Sequence, residues 1–344
     1  MTTDLNARAA IARLKPGPLD IHAHVVPDGL AKRLAKAGRA GFGVEAGGEP
    51  RLIVGGAPMR RPVTPDMRDV DLRMGTMSEQ GVAAQLVSPW IALVDDRLEA
   101  DAGLWFAETV NEAIAEFVGA MPDRFAGIGA APLRAPERTA KMLGRAVREL
   151  GLLGVEINTR AGPETFLDDQ SLEPFWAEAE ALGALVFIHP SLGGTGPEYQ
   201  RYYLNNLIHN PLETTFAAAH LIFGGVMERH PRLKVLLAHG GGFLPADLGR
   251  LKRGREVRSE TAASMSGSVE DSFRRFYFDT VTHSASALRF LVGEAGAGHV
   301  LLGSDYPFDM GDPDPVKTVR EAKLAAPDEA LVLRGTAERV LVGV

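Results

Sequence analysis

Two histidines stand two residues apart in Asp20-Ile21-His22-Ala23-His24, at the end of a short apolar run that begins at Pro18. In an extended strand, residues i and i+2 share a face. Both imidazoles would then project in parallel from a strand tip, as a pair of metal ligands requires. A buried, hydrogen-bonded histidine pair is the other reading of the same five residues, and only their context decides between the two. Three further candidates follow apolar runs in the same way: His189 after 184–188, His239 after 233–238, and Asp305 after 300–303. The chain has no cysteine, so imidazole and carboxylate must hold any metal. Those donors suit zinc, iron or manganese, and a catalytic site built from them keeps a position open for water or substrate.

Gathering five such side chains about one centre requires several strand ends to converge. From residue 64 onward, apolar strands alternate with amphipathic helices. After a first strand at 19–23, strands are predicted at 82–88, 125–130, 153–157, 184–188, 233–238, 276–279 and 300–303. Helices are predicted at 66–80, 100–120, 136–150, 172–182, 211–229, 244–255 and 285–292. Short, continuously apolar strands fit a parallel sheet buried on both faces. This pattern predicts an α/β chain folded as a (β/α)8 TIM-type barrel. A doubly wound open sheet would place its ligands at one or two strand tips near a switch point. Here the candidates end strands one, five, six and eight, and only a closed ring brings those tips together. Residues 30–63, with a β-like run at Arg51-Leu52-Ile53-Val54, are predicted as a small inserted helix and hairpin after strand one. The whole of 1–344 reads as a single barrel domain, with residues 1–17 a loose arm.

Composition sets outer bounds. A chain of 344 residues, 45% of them hydrophobic, can fill a large barrel core. The formal net charge is -7 and no long basic block occurs, so nucleic acid is not an expected partner. The absence of cysteine excludes disulfides, thiolate metal sites, iron–sulfur clusters and cysteine nucleophiles. No apolar stretch is long enough to span a bilayer, and the first residues lack the apolar core of a secretion signal; a cytoplasmic enzyme without a membrane partner is expected.

The segments IHAH, FIHP, LAHGGG and LLGSDYPF together resemble the amidohydrolase superfamily. Within it, the chain is similar to the branch of aminocarboxymuconate-semialdehyde decarboxylase and related aromatic-acid decarboxylases. The likeness runs from Leu19 to Val342 and includes MPDRFAGIGAAPL, NPLETTFAAAHLIFGGVMERHPRLKV and HGGGFLPADLGRL. The resemblance implies that His22, His24, His189 and Asp305 bind one divalent metal, zinc first and manganese second. It implies that His239 sits beside the metal-bound water as acid/base and that the protein is a homodimer; from the chemistry of the parts, Asp305 is expected to relay a proton besides ligating. The activity implied is non-oxidative decarboxylation of a small carboxylated aromatic or muconate-type acid. A metal-dependent hydrolase or hydratase of a related unsaturated acid, lactone or amide is the alternative, because the same parts serve it.

Two-metal members of the superfamily bridge their ions with a carboxylated lysine at the end of strand four. GVEINTR offers Glu156 and no lysine, which favours one metal. Glu156 is read either as support for a ligand or as a paired carboxylate of the barrel interior. For the substrate carboxylate, Arg61 in MRRPV matches a family arginine, and Arg250 in LGRL matches one presented across a dimer interface. Arg160 and Arg201 also follow strand tips, His283 follows strand seven, and His220 in AAAHLIF reads as a core histidine. One departure is clear. The decarboxylase that names the branch follows its strand-five histidine with Pro-Trp-Asp, whereas this chain has His189-Pro190-Ser191-Leu192-Gly193-Gly194, which implies a different substrate.

Overall fold

Strand β1 (Leu19–Val25) is buried along its whole length, polar residues included. It needs neighbours on both edges and both faces, and the topology supplies them. The computed structural model describes residues 2–45, 49–94, 96–191 and 196–342. β1 pairs in parallel with β5 (Ala84–Pro89), and β5 with β6 (Phe125–Gly127). β7 (Gly129–Ala130), β8 (Gly154–Ile157), β9 (Leu185–Ile188), β10 (Lys234–Leu237), β11 (Phe276–Asp279) and β12 (Val300–Leu301) continue in parallel, each beside the next.

β6 and β7 are two halves of one strand interrupted at Ile128, whose amide still donates to Val87 O at 2.9 Å. The ring closes by backbone bonds between the first and last strands. Ile21 N donates to Leu302 O at 2.8 Å, Asp305 N to His22 O at 2.7 Å, and His24 N to Tyr306 O at 2.7 Å. The fold is a (β/α)8 barrel.

Alternation along β9 shows why the strands read as continuous apolar runs. Leu185 and Phe187 join the cluster that fills the barrel, with Leu19, Ile21, Leu86, Leu236 and Leu301. Val186 and Ile188 face outward into the layer beneath the helices, with Leu143, Trp176 and Leu221. A strand buried on both faces cannot show a polar period.

Several elements depart from expectation. The N-terminal segment is a helix, Thr2–Arg13, and no loose arm. Its Ile11, with Leu14 just beyond, packs against Leu19, Leu153 and Val340 and shuts the lower end of the barrel. The helix predicted at 66–80 breaks at Asp69, whose side chain accepts from Leu72 N at 3.0 Å and caps the helix Val70–Glu79. The helix predicted at 211–229 is preceded by a π-turn, Asn205–His209, and splits into Asn210–Phe223 and Val226–Arg229 at Gly225, whose φ is 71°. The insertion after β1 contains the helix Asp28–Ala37 and a three-stranded antiparallel sheet, β2 (Gly43–Glu45), β3 (Arg51–Val54) and β4 (Ala57–Pro58), one strand more than a hairpin. Among the described residues no helix is long and apolar enough to cross a membrane.

Candidate active site

Side chains from strands one, five, six and eight meet at the C-terminal mouth of the barrel. His22 Nε2 lies 3.1 Å from His24 Nε2 and 3.3 Å from Asp305 Oδ1. His24 Nε2 lies 3.2 Å from the same oxygen. The His189 ring stands 5.2 Å from that of His22 and 4.9 Å from that of His24, centroid to centroid. His239 approaches from the other side, with Nε2 3.5 Å from Asp305 Oδ2. Donor atoms of His22, His189, His239 and Asp305 lie within 4.8 Å of one another.

The donor set fits a divalent metal because three imidazoles are already committed on their far nitrogens. His22 Nδ1 pairs with Asp279 Oδ2 at 2.6 Å, His24 Nδ1 with Pro89 O at 2.8 Å, and His189 Nδ1 with Pro190 O at 2.9 Å. A carbonyl or carboxylate oxygen only accepts, so each Nδ1 carries a proton, and each Nε2, when deprotonated, has a lone pair for the centre. His189 Nε2 and Asp305 Oδ1 are buried without a hydrogen-bond partner among the described residues. A cation removes that cost, which is about 1–3 kcal/mol for an unsatisfied buried polar group. His239 differs. Its Nδ1 has no partner among the described residues, so none of them fixes its tautomer, and its ring is partly open to the mouth.

Electrostatics agree with a cation at this point. Burial lowers the His22 pKa, but Asp305 and Asp279 outweigh it and raise it to about 10. Burial, then the neighbouring His24 and His239, push His189 well below its ordinary value. Burial would raise Asp305, yet the imidazoles, His22 first, hold it well below the usual carboxylate range. Glu156 is fully buried 3.7 Å from His24 Nδ1, and burial raises it to about 7. It is thus a buried carboxyl behind His24, with Ser88 beside it.

Local backbone explains the aim of these groups. Asp305, His239 and His283 have φ values of 60°, 56° and 54°, in the left-handed region that costs non-glycine residues roughly 1–2 kcal/mol. Asp279 pins the turn after β10, accepting from His239 N and Gly240 N at 2.8 Å each. Gly242 must be glycine, since a Cβ there would lie 2.1 Å from Pro211 O. Beneath the site, fully buried Arg73 donates to His24 O at 2.6 Å and Gln85 Oε1 at 3.0 Å. Gln85 Nε2 in turn reaches Asp20 Oδ2 at 2.9 Å, and Ser304 Oγ the same oxygen at 2.6 Å. This relay ties strand one to strand eight at the level of His22 and Asp305.

His239 and Asp305 form the inner wall of a cavity of about 380 Å³. Asn206, Asn210 and His283 add polar groups, while Leu207, Phe243 and Phe290 make it largely apolar. A sequence model of the family described as amidohydrolase matches residues 19–342. The chain belongs to the amidohydrolase family. It is 32% identical over 309 residues to 2-amino-3-carboxymuconate-6-semialdehyde decarboxylase of Dictyostelium discoideum, covering 89% of this chain and 86% of the relative. The crystal structure of 5-carboxyvanillate decarboxylase LigW from Sphingomonas paucimobilis superposes with a TM-score of 0.79 at 26% identity, covering 94% and 98%. The same fold recurs, at 22% identity and TM-score 0.76, in a dihydroxybenzoic acid decarboxylase from Polaromonas sp. JS666 with bound manganese, covering 94% and 96%.

The other sequence candidates are placed as follows in this amidohydrolase. His283 lines the cavity beside His239. Arg61 is exposed beyond the inserted sheet, its guanidinium 3.4 Å from Tyr203 Oη, and is not among the cavity-lining residues. Arg250 is exposed on the helix Leu244–Val257. Arg160 is taken up by a two-pronged ion pair with Glu213, at 2.9 Å on each prong, and Arg201 bonds Tyr202 Oη at 2.7 Å. His220 is no core histidine: it is one-third exposed, pairs with Asp168 at 2.8 Å and stacks on Phe166. Residues 192–195 of the loop after His189 lie outside the described residues.

Sequence reasoning missed Asp279, Arg73, Asp20 and the two asparagines. Asp279 ends an apolar strand as Asp305 nearly does, which is the one signal that was available. Asn206 and Asn210 stand four residues apart, in the π-turn and at the start of the helix that follows, and both line the cavity.

Proposed function

We propose that this amidohydrolase is a metal-dependent non-oxidative decarboxylase of a small carboxylated aromatic or muconate-type acid. One observation carries the reading: His22, His24 and His189, each with Nδ1 committed, gather with Asp305 beside an apolar cavity, His189 Nε2 and Asp305 Oδ1 are buried without a partner among the described residues, and His239 faces the other oxygen of Asp305. The names of its relatives point the same way. His22, His24, His189 and Asp305 through Oδ1 would hold the ion, zinc first and manganese second. His239 stays outside this set because its Nδ1 is unanchored and it faces Oδ2. When bound, a divalent ion supplies positive charge that attracts the substrate carboxylate and balances charge developing beside it.

The chain's own residues do the rest. His239 Nε2 carries a proton to the carbon that bears the carboxylate. The carbon–carboxylate bond then breaks, its electron pair returns to the unsaturated system, and CO2 leaves. Asp305 Oδ2 orients the His239 ring and takes part in its reprotonation from solvent. Leu207, Phe243 and Phe290 give the substrate ring an apolar wall, and His283 borders it.

The cavity lining contains no lysine or arginine of its own chain among the described residues. A second substrate cation therefore comes from Arg61, which bonds Tyr203 outside the lining, or from Arg250 of a second copy in a homodimer. Leu207, Phe243 and Phe290 are 44%, 39% and 48% exposed at the mouth, an apolar surface such a copy would cover. The test is a purified protein loaded with zinc or manganese and a panel of carboxylated aromatics and muconates. CO2 release supports the reading. Water uptake without CO2 release, giving a hydrolysed or hydrated product, would replace it with the hydrolase or hydratase alternative.

A further inference from the structure

We propose that Asp279 is a shared positioning residue that couples the metal-ligand half of the site to the acid/base half; the proposal rests on the functional reading above. Asp279 is fully buried at the end of β11, on a strand that contributes neither a ligand nor the acid/base. Its Oδ2 accepts from the His22 ring at Nδ1 (2.6 Å) and from the backbone amide of His239 (2.8 Å). Its Oδ1 accepts from the amides of Gly240 (2.8 Å) and Val281 (3.0 Å). One oxygen thus fixes which nitrogen His22 turns to the centre and, at the same time, where the chain turns to place His239. His239 occupies the left-handed region at φ 56°, and Gly240 follows at φ 62°. With Gly241 and Gly242 at 78° and 64° the positive-φ run is four residues long, and the two bonds to Asp279 anchor its start.

All four partners are donors, which makes the carboxylate irreplaceable by its amide. In Asp279→Asn the NH2 group must face either His22 and the His239 amide, or the amides of Gly240 and Val281. Either orientation leaves two donors opposed by a donor. Loss of such outer support for a ligating histidine lowers metal affinity by roughly 10- to 100-fold.

The experiment uses the full chain with zinc. Affinity is read by competition with a chelator, and hydrogen exchange is followed at the His239 and Gly240 amides in zinc-saturated protein. Asp279→Asn is expected to bind zinc about 10- to 100-fold more weakly and to exchange faster at both amides. Asp20→Asn is the comparator. Asp20 is also fully buried and bonds the His22 backbone amide at 3.1 Å, but it touches neither the His22 ring nor the β10 turn. That variant is expected to melt lower without faster exchange at 239–240. Zinc affinity of Asp279→Asn within twofold of wild type, or unchanged exchange at the two amides, overturns the proposal. If Asp279→Asn does not fold, Asp279→Ser, which also removes the carboxylate that accepts from all four donors, takes its place under the same two criteria. Neither readout needs substrate, so a protein that releases no CO2 overturns the decarboxylase reading and leaves this test intact.

Discussion

Asp305 and His239 meet through the carboxylate oxygen that the histidine cluster leaves free. Oδ1 faces His22 and His24 at 3.3 and 3.2 Å, and Oδ2 faces His239 Nε2 at 3.5 Å. One side chain therefore divides the site into a part suited to a metal and a part suited to proton transfer. His239→Asn is predicted to lower kcat by roughly 10²- to 10⁴-fold, the usual worth of a positioned acid/base, while metal content stays that of wild type. Elemental analysis beside steady-state kinetics checks both halves. Full activity with metal bound would remove His239 from its role.

Metal binding should release protons. In the metal-free site His22 is held protonated up to about pH 10, and its Nε2 must lose that proton to ligate. Apparent affinity is therefore predicted to rise with pH up to about 10. The sign for stability follows. A folded-state pKa raised above its unfolded value near 6.5 stabilises the metal-free protein fully below pH 6.5, and this is lost as pH approaches 10. His189, held low, stays neutral throughout that window. The gap in Tm between metal-loaded and metal-free protein is predicted to widen from pH 6.5 to 9. A constant gap in calorimetric scans would contradict this.

Arg73 makes a stability prediction at a site with no chemistry of its own. It is fully buried and bonds His24 O and Gln85, and burial lowers it to about 10. Arg73→Met strips a charge from a network that contains Asp20 and leaves acceptors unsatisfied. It is predicted to destabilise by about 2–4 kcal/mol, read by urea unfolding of the metal-free protein. Arg73→Lys should recover only part of this, because an ammonium cannot span both acceptors in one plane.

If Arg250 acts across a homodimer, two inactive variants should rescue each other. A mixture of Arg250→Ala and His239→Ala, unfolded and refolded together, would form some dimers in which one cavity has an intact His239 and the partner copy's Arg250. Activity is predicted to return to about a quarter of wild type for random pairing into twofold dimers. Sedimentation of the wild type gives the oligomeric state. No rescue from a mixture that demonstrably exchanges subunits would leave Arg61 as the remaining cation.

The part of the site that lies on apolar strand tips was legible in the sequence. His22, His24, His189, His239 and Asp305 lie at the ends of apolar runs read as buried strands, and four such tips about one centre require a ring. The supporting residues were not legible. Asp279, Asp20, Gln85 and Arg73 act through partners up to 284 residues away, and no local period announces such pairs. Helix ends also escaped. Asp69 breaks a helix by capping the next one, and the π-turn before Asn210 alters a face without altering composition. The N-terminal helix looked loose because its apolar residues are few; Ile11, and Leu14 after it, matter only because an open barrel end waits beneath them.

The barrel's seam lies where the first and last strands bond, between His22 and Asp305 and between Asp20 and Ser304, 284 residues apart in the chain. The proposed ligands straddle that seam. An ion bound there would act as a clasp on the closed ring, and a chain still emerging from the ribosome could not assemble the full ligand set before residue 305 appears. Tight metal loading would then report topological completion: a barrel missing its last strand, or one opened at the seam, would lose its grip on the ion while its other strands remained paired.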